Sequence, residues 1–213
     1  MPLQALREVR FMYKLLCAFA LPLLLAACAA EAPYDPLDDY MEIDAITVLD
    51  APVVDPARIA PENLEAIARG AYLVELLGCG SCHTDGALIG EPRGDRLLAG
   101  SRVGVAYTNP LRNRNPGVVY PPNITTDRGT GIGDWSDQQI IDAIRTGQGR
   151  HGERGILVMP WQGYAKLSQS DIYAIVGYLR NIEPVNHRVP EDVPQGRRAT
   201  SPYVHFGVYR SRQ

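Results

Sequence analysis

An all-α domain is the fold class this sequence predicts. Three segments, over about 61–77, 136–147 and 168–182, place apolar residues at three- and four-residue steps. Between them no run alternates in the manner of a convincing sheet. The stretch 84–123 is rich in Gly, Pro, Asn and Arg and has no periodicity of its own. A loop region of that length is unusual in a compact domain unless it wraps something.

The first thirty of the 213 residues stand apart. Lys14 precedes an apolar run from Leu15 to Leu25, and Ala26, Ala27 and Cys28 follow. A positive start, a short apolar stretch and small residues read as a secretory signal over 1–27. An eleven-residue run is too short for the ~20 residues that span a bilayer. Leu25-Ala26-Ala27-Cys28 resembles a bacterial lipobox, which makes Cys28 the lipid-bearing N-terminus of the mature chain. The alternative is cleavage after a nearby alanine, giving a soluble periplasmic protein. Met12 is a second candidate start beside Met1, because Met12-Tyr13-Lys14 alone supplies a normal positive region. Residues 28–60 are acidic and punctuated by Pro33, Pro36, Pro52 and Pro56, the composition of an extended tether. Within them, the stretch from Ile43 to Leu49 can instead clamp a partner or its own domain as a strand, and both readings stay open.

The domain proper is expected over 61–183. Pro61 suits a first helical turn, and Leu64, Ile67, Ala68, Ala71, Tyr72 and Val74 supply an apolar face. Gly70, in mid-helix, costs about 1 kcal/mol relative to Ala and signals a close approach by another helix. Gly78 ends this helix. Ser136 with Gln139 forms a capping box ahead of Ile140, Ile141 and Ile144. Ser168 with Asp171 repeats the device ahead of Ile172, Ile175, Val176, Tyr178 and Leu179, and Pro184 stops that helix. A C-terminal extension, 184–213, follows. Its Tyr203–Tyr209 stretch alternates like a strand, and either docks a partner or packs on its own domain.

Cys79-Gly80-Ser81-Cys82-His83 reads C-x-x-C-H, the attachment pattern of a c-type haem. Two cysteines three apart point the same way and can each add to a porphyrin vinyl group. The next residue then lies under the ring, where its imidazole can bind iron. A zinc half-site needs a second ligand pair, and no other Cys pair exists. A dithiol redox centre calls for a strand-helix-strand pattern, which is not found. Covalent haem addition in bacteria takes place outside the cytoplasm, so motif and signal agree. Cys17 leaves with the signal, Cys28 carries lipid, Cys79 and Cys82 carry one haem c, and no thiol remains for a disulfide.

Candidates for the second iron ligand are Met41, Met159, His151, His187 and His205. Met159 stands in the apolar stretch Leu157-Val158-Met159-Pro160-Trp161 between two helices, where a thioether excluded from water binds iron well. His151 lies in a Gly- and Arg-rich stretch, and the other three stand outside the helical region. Arg93, Arg96, Arg102, Arg112 and Arg114 are candidates to pair with haem propionates, most of them being read as solvated. The formal charge is −3, and −5 once residues 1–27 are removed, which speaks against nucleic-acid binding.

Several motifs then agree in order: Arg69-Gly70-x-Tyr72-Leu73, C-x-x-C-H, Asn123-Ile124-Thr125-Thr126-Asp127, Gly131-Ile132-Gly133-x-Trp135-Ser136, Met159-Pro160-Trp161 and Tyr164-Ala165-Lys166-Leu167-Ser168. Over about 66–183 the chain resembles class I cytochrome c domains, specifically the cytochrome subunits of bacterial membrane-associated alcohol, aldehyde and gluconate dehydrogenases. Those subunits often carry three haem domains, and this chain has one C-x-x-C-H. The resemblance implies an N-terminal helix crossing the C-terminal one, with Gly70 against Tyr178 and Leu179. It also implies His83 and Met159 as axial ligands, and Asn123 and Trp135 as haem-pocket residues.

The function expected is electron transfer. Iron held by His and Met has no place for substrate, so the chain alone is not expected to be an enzyme. It is read as a monohaem carrier, tethered on the periplasmic side of a bacterial membrane, between a dehydrogenase and a respiratory or photosynthetic acceptor. Two alternatives belong to other classes: a haem-based catalyst or small-ligand sensor with a displaceable sixth ligand, and an anchoring subunit of a dehydrogenase complex.

Overall fold

The computed structural model describes residues 35–43, 48–149 and 158–207. The signal, Cys28, residues 44–47, His151 and the chain from 208 onward lie outside the described residues. Among the described residues the fold is mostly helical. A short helix α1 (Pro36–Asp39) is followed by a 3-10 turn at Pro61–Asn63 that runs into α2 (Leu64–Leu76). The haem-motif residues form a helix of their own, α3 (Cys79–His83). Then come α4 (Asp137–Thr146), the short α5 (Trp161–Tyr164) and α6 (Gln169–Asn181).

Helix α2 buries Ile67, Gly70, Leu73 and Val74. Leu64 and Tyr72, expected on the apolar face, are 39% and 51% exposed, and Ala68 is exposed too. The buried face is rotated because the closest approach is at Gly70, where α6 crosses. A Cβ at Gly70 would stand 2.0 Å from Ala174 O and 2.7 Å from Tyr178 Cβ. Any side chain there would hold the helices apart. The crossing implied by the resemblance is therefore present, made against Ala174 and Tyr178. Outside it, Arg69 Nε donates to Asp171 Oδ1 at 2.9 Å.

The helix starts follow the sequence signals. Ser136 Oγ accepts from the Gln139 N–H and Gln139 Oε1 accepts from the Ser136 N–H, a complete capping box. Ser168 Oγ accepts from the Asp171 N–H, but the Asp171 carboxylate turns to Arg69 and to the Ser168 hydroxyl. Leu77 closes α2, and Gly78, at φ +67°, turns the chain in the left-handed region into α3.

A three-stranded sheet, absent from the sequence reading, stands among the loops. Strand β1 (Gly104–Ala106) pairs antiparallel with β2 (Val118–Val119) and parallel with β3 (Tyr203–Val204). Strands of two or three residues are too short to show alternation. The described part of the C-terminal extension packs on its own domain: β3 joins the sheet and Val193 bridges to Val118. The proposed tether also ends earlier than residue 60. Ala51 N–H donates to Glu75 Oε1, Tyr178 OH donates to Pro52 O, and Val54 and Ile59 pack against the main core. The acidic composition of 28–60 masks these few apolar and main-chain contacts.

Two apolar clusters result. The larger joins α2, α4 and α6 through Ile67, Leu73, Ile140, Ile172, Val176 and Leu179. The smaller, Leu88, Val103 and Val105, lies under the loops. Cys79 packs on the first and Cys82 on the second. Gly70→Ala tests the crossing: despite better helix propensity it should lower unfolding free energy by about 3 kcal/mol, because overpacking against a backbone carbonyl dominates. Urea denaturation measures this, and an unchanged midpoint would refute the close approach.

Candidate haem-binding site

Between the two clusters lies a cavity of about 540 Å³, inside the range of roughly 300–1,000 Å³ common for small-molecule and cofactor sites. Its apolar walls come from Ile124, Ile132, Ile140, Ile144, Ile175 and Leu179. Cys79, Cys82 and His83 line it from α3, and Met159 lines it from the segment leading into α5. Asn123 and Trp135 line it as well. All six residues expected to contact the cofactor thus reach one chamber. Met41 is 86% exposed. His187, His205 and the five arginines do not line the cavity; Arg96 instead pairs with Asp85 at 2.9 Å and Arg93 with Asp95 at 3.2 Å. Of the five arginines, Arg93 and Arg96 are thus held by local carboxylates.

The His83 ring is fixed by the backbone. Its Nδ1 lies 2.8 Å from Pro122 O, and a carbonyl only accepts, so Nδ1 carries the proton. That leaves Nε2 as the lone-pair nitrogen, the form a metal-binding imidazole requires. Burial, which favours the neutral ring, holds His83 below the usual histidine range, and its bond to Pro122 O opposes that shift. Pro122 is a site residue that a search by side-chain type cannot find, because its contribution is a carbonyl.

The thiols argue against a dithiol redox centre. Burial pushes Cys79 up to about 11, with Cys82 nearby adding to the effect, and burial raises Cys82 as well. Reactive dithiols need the opposite shift. Tyr164, also unnoticed except within its motif, lines the cavity and donates its hydroxyl to Leu77 O at 3.0 Å. Burial pushes its phenol up to about 12, so it stays a donor and ties α5 to the end of α2.

Asn123 organises the wall beneath Pro122. It is 2% exposed; its Nδ2 donates to Thr130 Oγ1 and Val185 O, and its Oδ1 accepts from the Thr125 N–H and hydroxyl. Two thiols and a neutral imidazole on one side, a thioether on the lining, and aliphatic walls form a donor set that fits an iron porphyrin attached through sulfur.

Comparison with known proteins agrees with this chemistry. The family model described as Cytochrome c matches residues 67–183. The fructose dehydrogenase cytochrome subunit of Gluconobacter japonicus is 31% identical over 133 residues, which is 62% of this chain and 24% of that protein. The gluconate 2-dehydrogenase cytochrome c subunit of Pantoea cypripedii is 32% identical over 58% of this chain and 25% of its own length. The cytochrome c subunit of the quinone alcohol dehydrogenase of Gluconobacter oxydans (strain 621H) is 32% identical over 56% and 22%. The match therefore spans about a quarter of each of these relatives.

Asn123→Ala strips four hydrogen bonds from a buried site. It should cost about 2–4 kcal/mol in unfolding free energy, since buried partners are left unpaired. Denaturation of the full chain measures it, and a loss under about 0.5 kcal/mol would show that Asn123 does not hold this wall.

Proposed function

The chain belongs to the cytochrome c family, whose domain implies covalently bound haem c, and from that premise we propose that it is a monohaem electron carrier on the periplasmic side of a bacterial membrane. Cys79 and Cys82 would form the thioether links, and His83 and Met159 would supply the iron's protein ligands. The observation that carries this reading is the meeting of those four side chains in one apolar cavity. Haem c, when bound, supplies a one-electron iron couple. The chain's own residues do the rest. Pro122 O orients the imidazole, the aliphatic walls exclude water, and the thioether favours the reduced form and so a relatively high potential.

The relatives are named as cytochrome subunits of fructose, gluconate and alcohol dehydrogenases. Their likeness supports a dehydrogenase as electron donor and an electron-transfer subunit as the role; a respiratory or photosynthetic acceptor downstream completes the proposal. The signal pattern and Leu25-Ala26-Ala27-Cys28 support a lipid on Cys28 as the membrane attachment.

Met159→Ala tests the ligand. It should lower the midpoint potential by tenths of a volt, within the ~0.8 V that axial ligands command, and let the reduced protein bind carbon monoxide. An unchanged potential and spectrum would remove Met159 from the iron, and rapid carbon monoxide binding by the unaltered protein would favour the catalyst or sensor reading.

Cys28→Ala tests the anchor. The protein should move from the membrane pellet to the soluble fraction, because each buried acyl CH₂ contributes about 0.8 kcal/mol to membrane binding. Retention in the pellet would place the attachment elsewhere.

A further inference from the structure

The support of His83 continues into residues beyond the family match. His83 is held at two points: its ring Nδ1–H donates to Pro122 O, and its own carbonyl accepts from the Gly100 N–H at 2.8 Å. The segment 98–101 runs between these two supports. On the motif side, Leu98 N–H donates to Thr84 Oγ1 and Gly100 N–H to His83 O. On the other side, Ser101 N–H donates to Pro121 O and Leu98 O accepts from the Ile124 N–H. Leu98 is 1% exposed and stands at φ +59°, a conformation that a residue with a Cβ holds only when its surroundings enforce it.

Ala99 lies in the middle of this segment, and its carbonyl accepts from His187 Nδ1 at 3.0 Å. His187 is 8% exposed and belongs to the C-terminal extension. Its backbone N–H donates to Thr130 Oγ1, which also accepts from Asn123 Nδ2. Its Nε2 lies 3.4 Å from Arg96 Nη1 and 3.7 Å from Asp85 Oδ2. Asp85 in turn accepts from Arg96 and from the Arg102 N–H. Through Ala99 this cluster reaches the segment that holds the haem motif, and through Thr130 and Asn123 it reaches the Pro122 turn. We propose that His187 is a positioning residue for the proximal ligand: by gripping the Ala99 carbonyl it sets both supports of His83, and through them the reduction potential. This rests on the reading of His83 as an iron ligand. A histidine that merely filled space would give the same burial, but it would leave the ligand's properties untouched.

The experiment uses the full chain carrying its haem. Two quantities are read: solvent exchange of the His83 ring Nδ1–H by proton NMR, and the reduced-to-oxidised ratio at the midpoint of the unaltered protein. His187→Leu keeps bulk and removes the donor. Exchange should quicken about tenfold and the ratio should shift about threefold or more. His187→Asn keeps a donor near the Nδ1 position and should stay within about twofold of the unaltered protein on both. If the leucine variant does not fold, His187→Phe, which keeps a flat ring and removes the donor to Ala99 O, is read in the same way and should shift in the same direction. A folded leucine or phenylalanine variant unchanged on both quantities overturns the proposal, as does an asparagine variant that behaves like the leucine one. An unaltered protein lacking an iron-bound His83 ring signal overturns the ligation reading instead.

Discussion

The constraint on which the structure depends is the apolar character of the chamber between its two clusters. Its aliphatic walls leave water only when an apolar group of matching size lies against them. A group bonded to Cys79 and Cys82 would stand where these clusters meet, since each cysteine packs on a different one. The attachment motif is then a folding element as well as a binding one. It stands on a five-residue helix set off by Gly78, with Cys79 against one cluster and Cys82 against the other.

The long loop region between α3 and α4 looked featureless by periodicity, yet it performs the finest positioning in the molecule. Its polar residues are turned inward: Thr84, Ser101, Asn123 and Thr125 are all buried, and each is spent on a main-chain or neighbouring side-chain partner. Such a loop can be buried because its backbone groups are satisfied. Its rigidity gives the imidazole one orientation rather than several. The strained Leu98 fits this picture, since left-handed backbone costs about 1–2 kcal/mol and survives only in an over-determined setting.

How much was legible in the sequence follows from the range over which each signal acts. The capping serines, Gly78 and the C-x-x-C-H pattern are encoded within five residues, and the structure shows helix starts and a helix at those places. Gly70 revealed a close approach without naming its partner atom, because that atom is a carbonyl 104 residues away. The exposed Tyr72 and Leu64 were misplaced for a related reason: four-residue spacing fixes the width of a stripe, whereas the crossing helix decides which way it faces. Strand β3 falls within the alternating Tyr203–Tyr209 stretch, but its partners β1 and β2, the docked 51–59 segment and the Pro122 support were invisible, since main-chain hydrogen bonds leave no mark on residue type. Composition misled at 51–59, where a handful of contacts outweighs the acidic surroundings.

Tyr40 and Tyr203 share a hydroxyl hydrogen bond of 2.7 Å across 163 positions, and β3 pairs with β1 about a hundred residues upstream. Closing loops of that size is entropically dear, so such contacts form after the local helices. The motif helix, whose contacts are local, therefore takes shape while this outer seam is still undone, and the two ends of the described chain are the last parts to be fastened.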